Sequence, residues 1–303
     1  MARVSASSSA GHSSGSGTAN TNANNIPTST SSAHPDVDAT TLSQSLPPSD
    51  ELPDTDWDED VIDTTPLHMD DSLFPGGSRD LSWIGLQAFF LGLVAAAGIS
   101  GTMIAISLQS TWWRLPAFAT CLAIFHFLEY YTTARYNTNA LRAESFLLFN
   151  NGRAYNSAHG LATVELIVSR IFPAYGRALV NPATIAIGVV LVLVGQAVRS
   201  FAMAQAGPSF NHVVAREHKE THKLVTHGFY SIFRHPSYFG FFYWAIGTQF
   251  LIGNKICLLG YILVLWKFFH SRIQGEEKFL ISFFGDKYVE YRKRTGTMIP
   301  FIR

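Results

Sequence analysis

Cysteine is almost absent: the 303 residues include two, Cys121 and Cys257, both inside apolar segments. They make neither a disulfide framework nor a metal-ligand pattern, and read as buried small hydrophobes. Basic residues are scarce at one end. Residues 1–75 carry only Arg3 against a run of acids from Asp36 to Asp71, so overall neutrality hides a basic remainder. That remainder scatters its cations between apolar runs and forms no nucleic-acid stripe. No apolar core stands behind a basic start, which excludes a cleavable signal. The same stretch is mostly Ser, Thr, Asn, Ala and Gly, followed by an acidic patch around Asp54 to Asp63. Such composition cannot bury enough apolar surface to offset its ordering entropy, which predicts a disordered tail over 1–78.

What the rest contains is hydrophobic length. Leu81–Ser107, Trp112–Ala134 and Pro182–Gln205 are each long enough to cross a bilayer, which takes about 20 residues. Trp112 and Trp113 are placed as an interfacial belt. Ala158–Phe172 is weaker, because Glu165 and Arg170 interrupt it. Tyr238–Ile252 and Ile256–His270 flank Gly253-Asn254-Lys255. Each spans roughly 22 Å as helix against a hydrocarbon core of about 30 Å, so they read as a tight hairpin. The expected fold is therefore all-α: a polytopic integral membrane protein of about six membrane helices, ending in that hairpin. Residues 79–205 hold the first four spans, and 206–303 hold the hairpin and a charged, amphipathic tail from Ser271 that lies on the membrane or caps a site.

With both termini cytosolic, Arg79, Arg135, Arg142, Arg153, Arg216, Lys219, Lys223, Arg234 and Arg292-Lys293-Arg294 fall on one side. Only Arg114, Arg170, Arg177 and Lys255 fall opposite. This orientation satisfies the positive-inside tendency, and the reverse does not.

Chemistry concentrates in His222–Gly240. Arg234-His235-Pro236 sets a fixed cation and a titratable ring beside a helix-starting proline. The N–H groups of that first turn suit an anionic ligand; a basic juxtamembrane loop against headgroups is the plainer reading. Charges inside apolar segments are the second clue, since each costs at least about 2.5–3.5 kcal/mol on insertion scales. Glu129 and His126, one turn apart, read as a polar pair joining helices. Arg199 reads either as a snorkelling anchor or as a substrate contact. Arg272 and Glu276 share a helix face at i, i+4, as an intrahelical salt bridge or as a wall of the site.

His222-Lys-Leu-Val-Thr-His-Gly-Phe-Tyr230, Arg234-His-Pro-Ser-Tyr-Phe-Gly240 and Arg272-Ile-Gln-Gly-Glu-Glu277, with Phe283-Phe-Gly-Asp-Lys-Tyr288 and Ile299-Pro-Phe-Ile302, closely resemble isoprenylcysteine carboxyl methyltransferases. Ser209-Phe-Asn-His212, Phe125-His-Phe-Leu-Glu-Tyr130 and Glu144-Ser-Phe-Leu-Leu148 extend the resemblance upstream to the second span. It implies a multi-pass enzyme of the endoplasmic reticulum membrane. Such an enzyme uses S-adenosyl-L-methionine to methylate the C-terminal carboxylate of prenylated cysteine in processed CaaX proteins. Carried over by position, its cofactor contacts are His222, Lys223, Leu224, Val225, Tyr230, His235, Pro236, Ser237, Tyr238 and Glu276. Arg272 is the substrate-contacting arginine, with Glu276 and Arg199 completing the expected catalytic set. A family cofactor position that is usually polar falls on Ala215. The rival readings are an NADPH-dependent membrane sterol reductase with a similar C-terminal pattern, a non-catalytic membrane scaffold, and a methyltransferase of another acceptor.

Overall fold

The computed structural model describes residues 70–148, 150–176, 180–218 and 222–302. Most of the expected tail, together with Arg177 and Lys219, lies outside the described residues. Its last part is ordered, contrary to expectation. Residues 71–73 form a 3-10 turn capped by Asp70, and Ala143 N–H donates to Ser78 O at 2.9 Å. The order comes from two carboxylates that satisfy local backbone N–H groups. Asp80 caps the first long helix and also accepts from Ser82 and Gly76. These bonds, led by the Ser82 hydroxyl, hold its pKa down at about 2.

Among the described residues seven longer helices follow, which we number in chain order: α1 Leu81–Ser107, α2 Arg114–Tyr136, α3 Arg153–Ile171, α4 Pro182–Ala206, α5 Pro236–Ile252, α6 Ile256–Phe284 and α7 Asp286–Arg294. A further helical turn occupies Pro173–Gly176. Among the described residues there is no strand, only an isolated bridge between Phe233 and Gly296. Among the described residues three helices are long and apolar enough to cross a membrane, Leu81–Ser107, Pro182–Ser209 and Ile256–Phe284, with mean hydropathies of 2.1, 2.0 and 1.4; the expected span Trp112–Ala134 is not one of them. The expected second hairpin arm does not end near His270. It runs unbroken to Phe284, so the charged stretch from Ser271 begins as its continuation. Gly275 alone does not interrupt it. Termination comes at Gly285, whose φ of +56° belongs to the region that L side chains rarely adopt.

Glu165, which weakened the third segment by hydropathy, has a structural use. It accepts from the N–H groups of Lys255, Ile256 and Cys257 at 2.7–2.9 Å, and from the Tyr175 hydroxyl at 2.8 Å. Those three donors open α6 and have no intrahelical acceptor, so α3 supplies the cap that the α5–α6 turn lacks. Asn254 completes the turn, donating to Ala162 O at 2.9 Å.

Small residues set the closest packing, between α4 and α5. A Cβ added at Gly195 would lie 2.5 Å from Trp244 N, and one at Gly240 would lie 2.6 Å from Arg199 N. Gly188 and Gly247 make the same approach one level away, 2.4 Å from Leu251 N and 2.7 Å from Val192 N. Seven residues separate each pair along its helix, two turns on one face. Backbone-to-backbone approach through small residues drives helix association where the solvent is itself apolar. It presses the N-terminus of α5, and with it His235-Pro236-Ser237, against Arg199.

Candidate active site

Under that N-terminus the chain encloses a cavity with an empty volume of about 930 Å³, part of it open to solvent. Every residue expected to bind the cofactor lines it: His222, Lys223, Leu224, Val225, Tyr230, His235, Pro236, Ser237, Tyr238 and Glu276. Ala215 lines it too, and its methyl offers no polar contact. Local structure explains the convergence. Ser209 Oγ accepts from Lys223 N–H at 3.0 Å, and Gln205 Oε1 accepts from Phe229 N–H at 2.9 Å. The loop before α5 is thus tied back to the end of α4. The far wall is α6, through Glu276, Phe279, Leu280, Phe283 and Phe284. Their spacing of i, i+3, i+4, i+7 and i+8 is one helix face, so the stretch does cap the site.

Arg272 and Glu276 make neither the simple salt bridge nor an empty wall. The Tyr238 hydroxyl stands between them, donating to Glu276 Oε2 at 2.6 Å while accepting from Arg272 Nε at 2.8 Å. Arg272 Nη2 also donates to the backbone oxygen of His212. Two edges of the guanidinium are therefore held from α5 and from the loop after α4.

Arg199 does not line the cavity. Its Nε and Nη2 grip both oxygens of Glu129, and its Nη1 reaches Ser237 Oγ at 3.0 Å. Glu129 is fully buried, and Phe125 and Phe241 flank the guanidinium. The pair ties α2 and α4 to the first turn of α5. His126 turns away from Glu129. It donates Nδ1–H to Phe146 O at 2.8 Å and accepts from the Tyr155 hydroxyl at 3.2 Å, so both residues join elements, but separately.

Glu277, to which the sequence assigned no role, fastens one wall of the cavity. Buried at 3% exposure, it accepts from Arg234 Nε at 2.5 Å and lies 3.3 Å from His235 Nε2 and 3.2 Å from Arg292 Nε. Consecutive helix residues point about 100° apart. Of the two adjacent carboxylates, Glu276 faces the cavity and Glu277 fastens the Arg234-His235 segment. The adjacency was visible in sequence, and the division of labour was not.

The electrostatics outside the apolar helices follow from burial. Desolvation pushes the Tyr230 and Tyr288 phenols well above their ordinary range, and Tyr291 up to about 12. Tyr291 donates to Tyr230 O at 2.6 Å. For His212, burial outweighs the nearby Glu129 carboxylate and lowers the pKa, which favours the neutral ring.

Residues 187–282 match the model of the isoprenylcysteine carboxyl methyltransferase family. The protein-S-isoprenylcysteine O-methyltransferase of Saccharomyces cerevisiae is 42% identical over 238 residues, 77% of this chain and 97% of that one. The Homo sapiens protein of the same name is 42% identical over 221 residues, covering 73% and 75% of the two chains. A solved structure of the eukaryotic intramembrane Ras methyltransferase, isoprenylcysteine carboxyl methyltransferase, superposes with a TM-score of 0.67 at 37% identity, over 73% of this chain and 77% of that one. On these similarities, the chain belongs to the isoprenylcysteine carboxyl methyltransferase family.

Proposed function

We propose that this chain methylates the C-terminal carboxylate of prenylated cysteine in processed CaaX proteins, with S-adenosyl-L-methionine as donor. One observation carries the reading: the ten cofactor positions line a single cavity, and Tyr238 joins its wall to Arg272. The lining fits that donor. Tyr230, Tyr238, Phe279 and Phe283 offer aromatic faces to an adenine and to a cationic sulfonium, and Glu276 balances the positive charge. When bound, the donor supplies an electrophilic methyl group.

The residues of the chain have to align and dry the reaction, not activate the acceptor. An α-carboxylate has a reference pKa of about 3.5 and is already ionised at neutral pH. Arg272, held through Nε and Nη2, is left with its Nη1 to orient that carboxylate by a charge-assisted hydrogen bond. Tyr238 keeps it in register with Glu276. Orientation and exclusion of water then lower the barrier. Arg199 and Glu129 position the Ser237 turn, and Glu277 positions His235. The prenyl chain enters sideways from the bilayer, because burying each CH₂ is worth about 0.8 kcal/mol in lipid or in the site alike. Placement in the endoplasmic reticulum membrane, with both termini cytosolic, rests on the family and on the distribution of basic residues.

Membranes containing the chain, given labelled S-adenosyl-L-methionine and N-acetyl-S-farnesylcysteine, should form a base-labile methyl ester. Arg272→Ala should lower turnover by about 10²–10³-fold while cofactor binding persists. Cofactor binding without ester would point to a different acceptor. Binding of NADPH in its place would overturn the reading.

A further inference from the structure

A second cleft opens on the opposite side of Arg234, between α7 and the last residues of the chain. Its cations are Arg234, Arg292 and Lys293, and its apolar wall includes Met298, Ile299 and Ile302. Among the described residues no carboxylate lines it. Glu277, behind the lining, is already shared between Arg234 and Arg292. Arg234 Nη2 is buried with no hydrogen-bond partner among the described residues, and Lys293 is exposed. The lining therefore carries three cations and, among the described residues, no carboxylate.

The apolar side is built with equal care. Met298 and Phe301 have φ of +55° and +61°, in the left-handed region that side chains other than glycine rarely adopt. Their side chains are 56% and 89% exposed. Three bonds hold this hook: Thr297 Oγ1 to Ile302 O at 2.5 Å, Trp266 Nε1 to Pro300 O at 2.8 Å, and the Tyr243 hydroxyl to Met298 O at 3.2 Å. Tyr243 and Trp266 belong to the apolar parts of α5 and α6. Trp266 lies ten residues, about 15 Å, inside α6. On the same face, seven and three residues earlier, Leu259 and Leu263 are also exposed, as on a lipid-facing surface. Cations on the last turn of α7 complement its dipole, but that does not account for an apolar hook anchored next to them on membrane helices.

We propose that this cleft binds an anionic phospholipid of the surrounding bilayer. Lys293 and Arg292 meet the phosphate-bearing headgroup, and an acyl chain runs along Met298 and Phe301 toward Trp266. An apolar wall that continues from the cationic rim into the membrane helices selects a lipid over a free anion. Arg234 lines both this cleft and the catalytic cavity, so the lipid sits one side chain away from the methyl-transfer site.

The test titrates the full chain, in a neutral maltoside detergent, with short-chain phosphatidylserine, short-chain phosphatidylcholine or inorganic phosphate, and reads the thermal unfolding midpoint. Phosphatidylserine should raise the midpoint at concentrations where the other two do nothing. Lys293→Gln should weaken its apparent affinity about fivefold, and Arg292→Gln in addition about fivefold again, from roughly 1 kcal/mol per basic residue. Lys293 has no ion pair among the described residues, so its single variant carries the test even if loss of the Arg292–Glu277 contact impairs folding. An equal response to phosphatidylcholine, an equal response to phosphate, or an affinity unchanged by Lys293→Gln would each overturn the proposal.

Discussion

Helices α1 and α5 look alike in sequence, apolar from end to end, yet they do opposite work. Of the 27 residues of α1, three are buried; of the 17 of α5, twelve are. α1 spends its hydrophobic surface on a lipid-facing role, with Phe89, Phe90, Leu93 and Met103 all more than half exposed. α5 is wrapped by protein and delivers His235, Pro236, Ser237 and Tyr238 to the cavity. Hydropathy measures preference for leaving water and is blind to whether lipid or protein replaces it. The glycines mark the difference. Gly85 and Gly92 of α1 meet nothing within 4 Å and Gly98 alone nears backbone, Pro116 O of α2 at 2.9 Å, whereas Gly240 and Gly247 of α5 face backbone atoms of α4 at 2.6–2.7 Å.

The most damaging test of this contrast is Gly240→Val. Overpacking typically costs about 1–3 kcal/mol, and here the facing atoms include backbone that cannot rotate away. The loss should lie at the top of that range or above it, seen as a lowered thermal midpoint together with lost methyl transfer. If the variant kept both, the close approach of α4 and α5 would not be what positions the site.

Tyr238→Phe keeps the packing of α5 and removes only the hydroxyl that links Arg272 to Glu276. A neutral hydrogen bond contributes about 1 kcal/mol and a bond to a charged group somewhat more, so kcat should fall roughly tenfold with the thermal midpoint nearly unchanged. A parallel drop in stability would mean that the hydroxyl braces the helix and not the chemistry.

The pH profile should be flat. The acceptor carboxylate is ionised throughout, Tyr230 and Tyr291 stay protonated because burial has raised their pKa values, and His212, with a lowered pKa, stays neutral. Between about pH 7 and 9, kcat/KM should therefore vary little. A bell with a limb near neutrality would require a titrating base that the assigned roles omit. Smallest of all is Gly92→Val in α1, expected within about 0.5 kcal/mol of the parent. A measured loss comparable to that of Gly240→Val would erase the contrast between the two helices.

Several features were readable before any fold was known. The ends of α1 and the start of α4 match the hydrophobic runs because desolvation acts on each segment locally. The ten positions that the family motifs marked as expected cofactor contacts all line one cavity. The amphipathic face from Glu276 to Phe284 was present in its spacing, although its continuity with the hairpin arm was not, since no local signal marks where an apolar helix becomes a polar one. Contacts between distant residues were out of reach. Arg199 meets Glu129 across 70 positions, and Lys255 N–H finds Glu165 across 90.

The sequence by itself determined an all-helical membrane chain and ten residues that line one cavity, because hydropathy, helical period and motif are properties of neighbours along the chain. Only the tertiary structure decided that Glu277 braces while Glu276 faces the cavity, that Tyr238 stands between Arg272 and Glu276, and that Glu165 is a helix cap. Each of those roles depends on which polar group lies within hydrogen-bond reach after packing. Buried polar groups must find a partner or bear the cost of desolvation, and the partners come from elsewhere in the chain.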